Sequence, residues 1–423
     1  MMLNLKMLVI FTMTNVNTAF VIHHTSSQQT TTTQRFLTKQ EPTTTTSSLK
    51  KTGGGIPSIP SGELRLFDPN EEGKLSGTNN LQDRILNGAQ YNYATYLHPG
   101  PTGAVAAPPP QDATLLPAQH FLEHLDQDGA LPLNFAKPIA PATATLLGRT
   151  RIIADDAPGD IQHIIMRLPT GFHYVEGQSL SVIPPGVDPK NGRAHKPRLY
   201  SIASTRYGDV LDGNTVSLCV RRAEYYDPVS GSVDPTKKGV CSNFLCDAEA
   251  GAQIDVAGPV GKTMLLPKDP NADIIMVATG TGIAPFRGFL HRLFMEQTVA
   301  GHLFSGKVWL VLGVPTTGGL LYKEEFDAMM KNAGPDQLRI DYAISREQFN
   351  TIDGGKRYVQ HVIAENANEF FERMNNGATC YFCGLKGMMP PVLDTLESVS
   401  GNVDFDGKMK EWKKNHQWHV EVY

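Results

Sequence analysis

The sequence predicts two domains, an antiparallel β-barrel followed by an α/β domain on a parallel sheet. From about Thr145 to Leu266 apolar and polar residues alternate between closely spaced turn signals, such as Asp212-Gly213-Asn214 and Ala250-Gly251, as in short strands closing a barrel. From Asp273 onward, short apolar runs alternate with helical stretches at the spacing of a parallel sheet covered on both faces. Between the two, Lys268-Asp269-Pro270-Asn271 reads as a linker turn. The barrel is therefore assigned to residues 141–266 and the α/β domain to 267–423.

A chain of 423 residues, 40% hydrophobic and 19% charged, has room for two cores, which excludes a fibre and a multipass membrane protein. Its formal charge of −4 supplies no global field for nucleic acid. Five cysteines, unevenly placed, do not make a disulfide framework, and a reducing compartment is expected. The first twenty residues hold one base, Lys6, and the apolar run Leu8 to Met13, the shape of a secretory signal core. Residues 25–51 are rich in Ser, Thr and Gln, with Arg35, Lys39, Lys50 and Lys51 against one acid, Glu41, as in an organelle transit peptide. Residues 1–51 are thus read as a bipartite presequence, and an Ala-Phe junction, here Ala19-Phe20, resembles that of algal plastid-targeting leaders; the plain alternative is a disordered tail. Residues 52–140 carry nine acids, four bases and several Gly/Pro clusters, and read as an acidic, loosely ordered extension with one short helix, His120 to Gln127.

In the α/β part, strands are predicted at Asp273–Thr279, Lys307–Gly313, Leu338–Ile344 and Ala378–Gly384, and helices at Pro285–Gln297 and Lys323–Asn332. The first strand runs into Gly280-Thr281-Gly282-Ile283-Ala284-Pro285, where glycines let the backbone approach a pyrophosphate and free helix N–H groups face its charge. The second strand ends in Gly313-Val314-Pro315, without the acid an NAD ribose usually meets. The third ends in Ser345-Arg346-Glu347, with Lys356 and Tyr358 a short loop beyond, a set suited to a 2′-phosphate. NADP(H) is favoured over NAD(H), the alternative being a solvated loop with incidental bases.

In the barrel, period-two geometry puts Arg198 and Tyr200 on one strand face, able to give a flavin a phosphate partner and a stacking ring, although strand tyrosines more often only pack. Gly239-Val240-Cys241-Ser242 opens a helix as a second phosphate cradle. Cys241 and Cys246 lack the further cysteines of an iron–sulfur run. Cys380 and Cys383 share a strand at a spacing that points them to opposite faces, so neither a disulfide nor a metal site is expected.

From about Phe135 to the end the chain resembles plant-type ferredoxin–NADP+ reductase, in the algal plastid form with a bipartite presequence. The resemblance rests on nine ordered blocks: Tyr174 to Ser179, Arg198 to Ser204, Gly239 to Asp247, Gly258 to Lys262, Gly280 to Arg287, Leu320 to Phe326, Ser345 to Glu347, Cys383 to Met388 and Val420 to Tyr423. It implies an FAD-binding barrel and an NADP-binding α/β domain. Arg198 would hold the FAD pyrophosphate, Tyr200 one isoalloxazine face and Tyr225 the adenine, with Cys219, Gly239, Val240, Cys241 and Ser242 completing the FAD site. Lys262, Thr281 and Gly282 would meet the NADP diphosphate. Ser345, Arg346, Lys356 and Tyr358 would read the 2′-phosphate, with Val314, Pro315, Gln360, Gly384 and Leu385 around the nucleotide. Tyr423 would cover the second flavin face and move aside for the nicotinamide, while Ser201, Cys383 and Glu421 would line the place of hydride transfer.

The implied reaction takes single electrons from two reduced ferredoxins and passes a hydride to NADP+ in photosynthetic electron transport. The alternatives are a reductase running from NADPH to ferredoxin, or a thylakoid or antenna tether with secondary activity. The bases Lys190, Arg193, Lys196 and Arg198, free of acids over nine residues, suit an acidic partner, ferredoxin or flavodoxin. The expected location is the plastid stroma, with peripheral thylakoid association. Two departures from the family pattern are Ser181, where glycine is usual, and Cys380, where a bulkier residue is usual.

Overall fold

A computed structural model describes residues 131–423 except 210–212, 229, 297–298, 335 and 402–403, together with 122–123 and 125–126. All of these belong to the compact unit that begins at Gly55. The presequence and most of the acidic extension lie outside the described residues. Of the short helix expected at His120–Gln127, Leu122 and Glu123 are helical and Leu125 and Asp126 form a turn.

Six strands build the first sheet: β1 (Ala142–Arg151), β2 (Ile161–Arg167), β3 (Ser179–Ile183), β4 (Arg198–Ser201), β5 (Thr215–Arg221) and β6 (Gln253–Val260). They run β4-β3-β6-β1-β2-β5, every pair antiparallel, and a bridge between Ile202 and Leu218 joins the two ends of the order. Alternate side chains fill the interior, among them Leu146, Ile164, Leu180, Val216 and Ile254. Helix α1 (Val240–Asp247) adds Cys241, Leu245 and Cys246 to that core. On β2 the other face is buried too, because Ile161 and Ile165 join the core of the second lobe.

The second sheet holds β7 (Ile274–Thr279), β8 (Val308–Val314), β9 (Leu338–Ile344), β10 (Thr379–Gly384) and β11 (Trp418–Val422), all parallel, in the order β11-β10-β7-β8-β9. Successive residues separate into two cores: Met276, Leu310 and Cys383 on the face toward the barrel, Val277, Trp309 and Cys380 on the other. The first face is covered by α2 (Ala284–Leu290), and past α3 (Val299–Leu303) by α4 (Lys323–Asn332). The second face is covered by α5 (Val359–Glu365), α6 (Ala367–Asn375), α7 (Met389–Val399) and α8 (Phe405–Lys414).

The helix expected at Pro285–Gln297 differs in kind: it is a 3-10 turn, Gly280–Ile283, then α2, then a π turn, His291–Met295. The tight turn follows from the close approach described below, and the wide one turns Arg292 into a buried ion cluster. Strand β11 was not expected, because Trp418-His-Val-Glu-Val422 is too short and too polar to stand out. Ser181 and Cys380 are both buried strand residues.

Candidate functional site

All five parallel strands end on one edge, which collects the segments after Thr279, Val314, Ile344, Gly384 and Val422. At β7 and β10 the chain turns to opposite sides of the sheet, the crevice where ligands bind in such sheets. It is narrow. A Cβ on Gly282 would lie 2.1 Å from the Cys383 carbonyl oxygen, and one on Gly384, at φ +147°, would lie 2.2 Å from Thr279 Oγ1. Glycine is required at both positions for the two turns to meet.

The last residue is tied into this crevice. Tyr423 N–H donates to Gly384 O at 3.0 Å, Lys386 N–H donates to Tyr423 O at 3.0 Å, and the Tyr423 hydroxyl lies 2.6 Å from Thr281 Oγ1. Enclosure of its phenol end raises the Tyr423 pKa, although the residue as a whole is 55% exposed. Two residues earlier, Glu421 Oε1 accepts hydrogen bonds from Ser179 and Ser201, each at 3.0 Å. These bonds join β11 to β3 and β4 and bring the strand carrying Tyr200 against the strand that leads to Tyr423. Cys383 pairs with Glu421 in the sheet. Burial pushes its thiol well up and the Glu421 charge adds to this, while a hydrogen bond with Ser201 opposes it. Cys383 is thus a neutral thiol at physiological pH.

On the barrel side, α1 starts at Gly239 with no side-chain cap, so its first N–H groups are open to an anion. A Cβ on Gly239 would sit 2.6 Å from Ala223 Cβ, so the cradle exists only with glycine. Arg198 is exposed and braced through Nη1, which donates to Lys196 O at 2.7 Å. Ser242 Oγ accepts from Ala223 N–H at 3.1 Å, which leaves the hydroxyl proton to donate. Cys241 is 3% exposed, and its thiol is turned inward toward Val182 O at 3.9 Å. Val240 is exposed and Tyr200 half-buried, its pKa raised chiefly by burial. Lys237 Nζ lies over the Tyr225 ring, 4.5 Å from its centroid. Cys219 lies in the core shared by the lobes, and burial pushes its thiol to about 12.

A cleft of about 610 Å³ opens between the lobes, with Arg221 and Tyr226 on one wall and Arg346 on the other. Ser345 N–H donates to Val314 O at 3.0 Å and Arg346 N–H to Pro315 O at 2.9 Å, so the ends of β8 and β9 form one rim. Arg346, Lys356 and Tyr358 are exposed there and Ser345 and Gln360 are half-buried. Tyr358 N–H donates to His361 Nδ1 at 3.1 Å, which fixes the start of α5. Leu385 is exposed beside Gly384, and Lys262 is exposed on the segment after β6, outside the lining of this cleft.

Three features were missed in the sequence. Ser179 is a second partner of Glu421, and Arg221 faces Arg346 across the cleft. The third is a buried polar network between the lobes. Arg287 donates to Glu325 Oε2 at 2.8 Å, to Asp209 Oδ1 at 2.9 Å and to Ala203 O at 2.8 Å. His163 bonds Asp209 at 2.7 Å and Tyr322 at 2.8 Å, and His291 bonds Glu325 at 2.7 Å. Arg287 and Glu325 fell within two of the matching blocks, but nothing local paired them.

A barrel with an open phosphate cradle, joined through a tyrosine-lined seam to a parallel sheet with a glycine crevice and a basic rim, defines a two-lobed nucleotide-dependent oxidoreductase. Residues 276–394 match the family model described as "Oxidoreductase NAD-binding domain". The chain is 54% identical over 296 residues to the chloroplastic ferredoxin–NADP reductase, root isozyme 2, of Arabidopsis thaliana, covering 69% of this chain and 77% of the relative. It is 49% identical over 301 residues to the chloroplastic enzyme of Chlamydomonas reinhardtii, covering 70% and 84%. Among solved structures it resembles ferredoxin–NADP+ reductase from Plasmodium falciparum, with a TM-score of 0.54 and 26% identity, covering 69% of this chain and all of that one. The chain belongs to the ferredoxin–NADP reductase family, flavin oxidoreductases that bind FAD and NADP(H).

Proposed function

We propose that the chain is a plastid FAD enzyme that moves electrons from reduced ferredoxin to NADP+, with its FAD lobe at 141–266 and its NADP lobe at 267–423. The observation that carries this is the Glu421 bridge: one carboxylate oxygen ties Ser179 and Ser201 of the barrel to the strand that leads to Tyr423. FAD, when bound, exchanges electrons singly with one partner and as a pair with the other.

The chain's own residues do the rest. The open start of α1 and Arg198 hold the FAD pyrophosphate, Tyr200 and Tyr423 enclose the ring, and Tyr225 supports the adenine. Arg346, Lys356, Ser345 and Tyr358 hold the 2′-phosphate, while Gly282, Thr281 and Lys262 meet the diphosphate. Glu421, with hydroxyl donors 3.0 Å away on Ser179 and Ser201, holds a proton route at the seam. The neutral thiol of Cys383 keeps that spot apolar and uncharged. Residues that hold reactants in near-attack orientation can supply ~7–11 kcal/mol, as well-oriented intramolecular systems show.

Ferredoxin docks on the exposed bases Lys190, Arg193 and Lys196 with the exposed apolar Val187 and Leu199 beside them, a surface that also suits flavodoxin. The protein resides in the stroma with peripheral thylakoid contact; no helix among the described residues is long and apolar enough to cross a membrane. Purified protein should show oxidised flavin bands perturbed by NADP+, and should reduce NADP+ with reduced ferredoxin. A colourless protein that takes up no FAD overturns the reading.

A further inference from the structure

One ion cluster plays no part in the site above. Arg206 and Arg292, 2% and 4% exposed, share the carboxylate of Glu176, which is 3% exposed. Arg206 donates to Glu176 Oε2 at 2.8 Å, and Arg292 Nε lies 3.6 Å from the same oxygen. Buried guanidinium groups are tolerable only beside carboxylates, and Glu296, 4% exposed at the end of the π turn that carries Arg292, is a further buried acid close by. Two more acids come from the short segment that precedes the barrel. Asp126 accepts from Arg206 at 2.9 and 3.1 Å, and Glu123 accepts from Arg292 at 3.0 Å and from the Tyr207 hydroxyl. Arg206 also donates to Leu122 O at 3.0 Å. Leu122 itself is 3% exposed and packs on Gly213, where a Cβ would come within 2.6 Å of its Cδ1.

The geometry spans the lobes. Arg206 and Tyr207 lie between β4 and β5 of the barrel, whereas Arg292 lies in the π turn that continues α2, the helix that follows the Gly280–Ile283 turn of the nucleotide crevice. We propose that Glu123 and Asp126 are positioning residues, an acidic staple that clamps the far end of the nucleotide helix to the flavin lobe and keeps the two halves of the NADP(H) site in register. The inference rests on the reading that NADP(H) spans both lobes.

The test uses the full-length FAD-loaded protein with E123Q and E123Q/D126N, and two ligands. 2′-Phospho-AMP draws chiefly on the rim formed by Ser345, Arg346, Lys356 and Tyr358, whereas NADP+ must also reach Thr281, Gly282 and the seam between the lobes. The double variant should bind NADP+ at least about fivefold more weakly and E123Q about threefold more weakly, with the affinity for 2′-phospho-AMP held within about 1.5-fold in both. Amide exchange in the double variant should rise at 122–126 and 291–295 and stay unchanged in β9. E123Q alone carries the test if the double variant does not fold. Equal weakening of both ligands, an unchanged ratio, or unchanged exchange at 122–126 overturns the staple. Failure of the parent protein to bind 2′-phospho-AMP instead overturns the nucleotide reading beneath it.

Discussion

Replacing Arg287 by Met should cost the folded protein about 3–5 kcal/mol, the range for breaking a buried ion pair by removing one partner. Arg287 is fully buried and serves two carboxylates and a backbone carbonyl, with bonds of 2.8 to 2.9 Å to Glu325, Asp209 and Ala203. Methionine fills much of the volume but leaves Asp209 and Glu325 enclosed, each with only a histidine as a counterion that can be charged. The loss should therefore be smaller at pH 5.5 than at pH 7.5, because His163 and His291 can then take up the missing positive charge. Arg287→Lys keeps the charge but not the planar fork, and should fall between, at ~1.5–3 kcal/mol for lost hydrogen bonds to charged groups. The assay is urea unfolding of the FAD-loaded protein at both pH values, followed by far-UV circular dichroism and by flavin fluorescence. Both probes should shift together, since Arg287 joins Asp209 of the barrel to Glu325 of the second lobe. A loss below about 1 kcal/mol, or a shift in one probe only, would refute the claim that this pair bolts the lobes together.

Four more outcomes are expected. Burial lowers the pKa of His163 and His291, so below about pH 6.5 the unfolded chain binds protons that the folded one does not, and stability should fall from pH 7.5 to 5. Burial alone would raise Glu176, Asp209 and Glu325, but their arginine partners outweigh it and lower all three, so a further decline should follow below about pH 4. A urea midpoint that stays flat between pH 7.5 and 5 would contradict the histidine argument. Arg346→Ala removes a charge-assisted partner worth ~1.5–3 kcal/mol and should narrow the NADPH over NADH preference in kcat/KM roughly 10- to 150-fold; retention of the parent ratio removes Arg346 from the 2′-phosphate site. Tyr423→Ser frees the crevice of an aromatic contact worth ~0.5–1.5 kcal/mol, so NADP+ should bind about 2- to 12-fold more tightly by difference spectroscopy while turnover slows, and an unaltered binding spectrum would count against the cover role.

Local sequence carried the architecture because periodicity and turn chemistry are short-range properties. The alternation from Thr145 to Leu266, the apolar runs at Ile274–Thr279 and Val308–Val314, and the glycines at 280 and 282 each declare themselves within a few residues. The same holds for Cys380 and Cys383, whose spacing on a strand sends one to each core.

What required the tertiary structure is the pairing of groups far apart in the chain. Glu421 meets Ser179 and Ser201 across more than two hundred positions, and Arg287 meets Asp209 and Glu325 from opposite lobes. A buried charge is tolerable only beside its partner, but a sequence shows the charge without its distance to anything else. Glu123 and Asp126 read as two more acids in an acidic stretch, and only the closed seam, with its two enclosed guanidinium groups, makes them ligands.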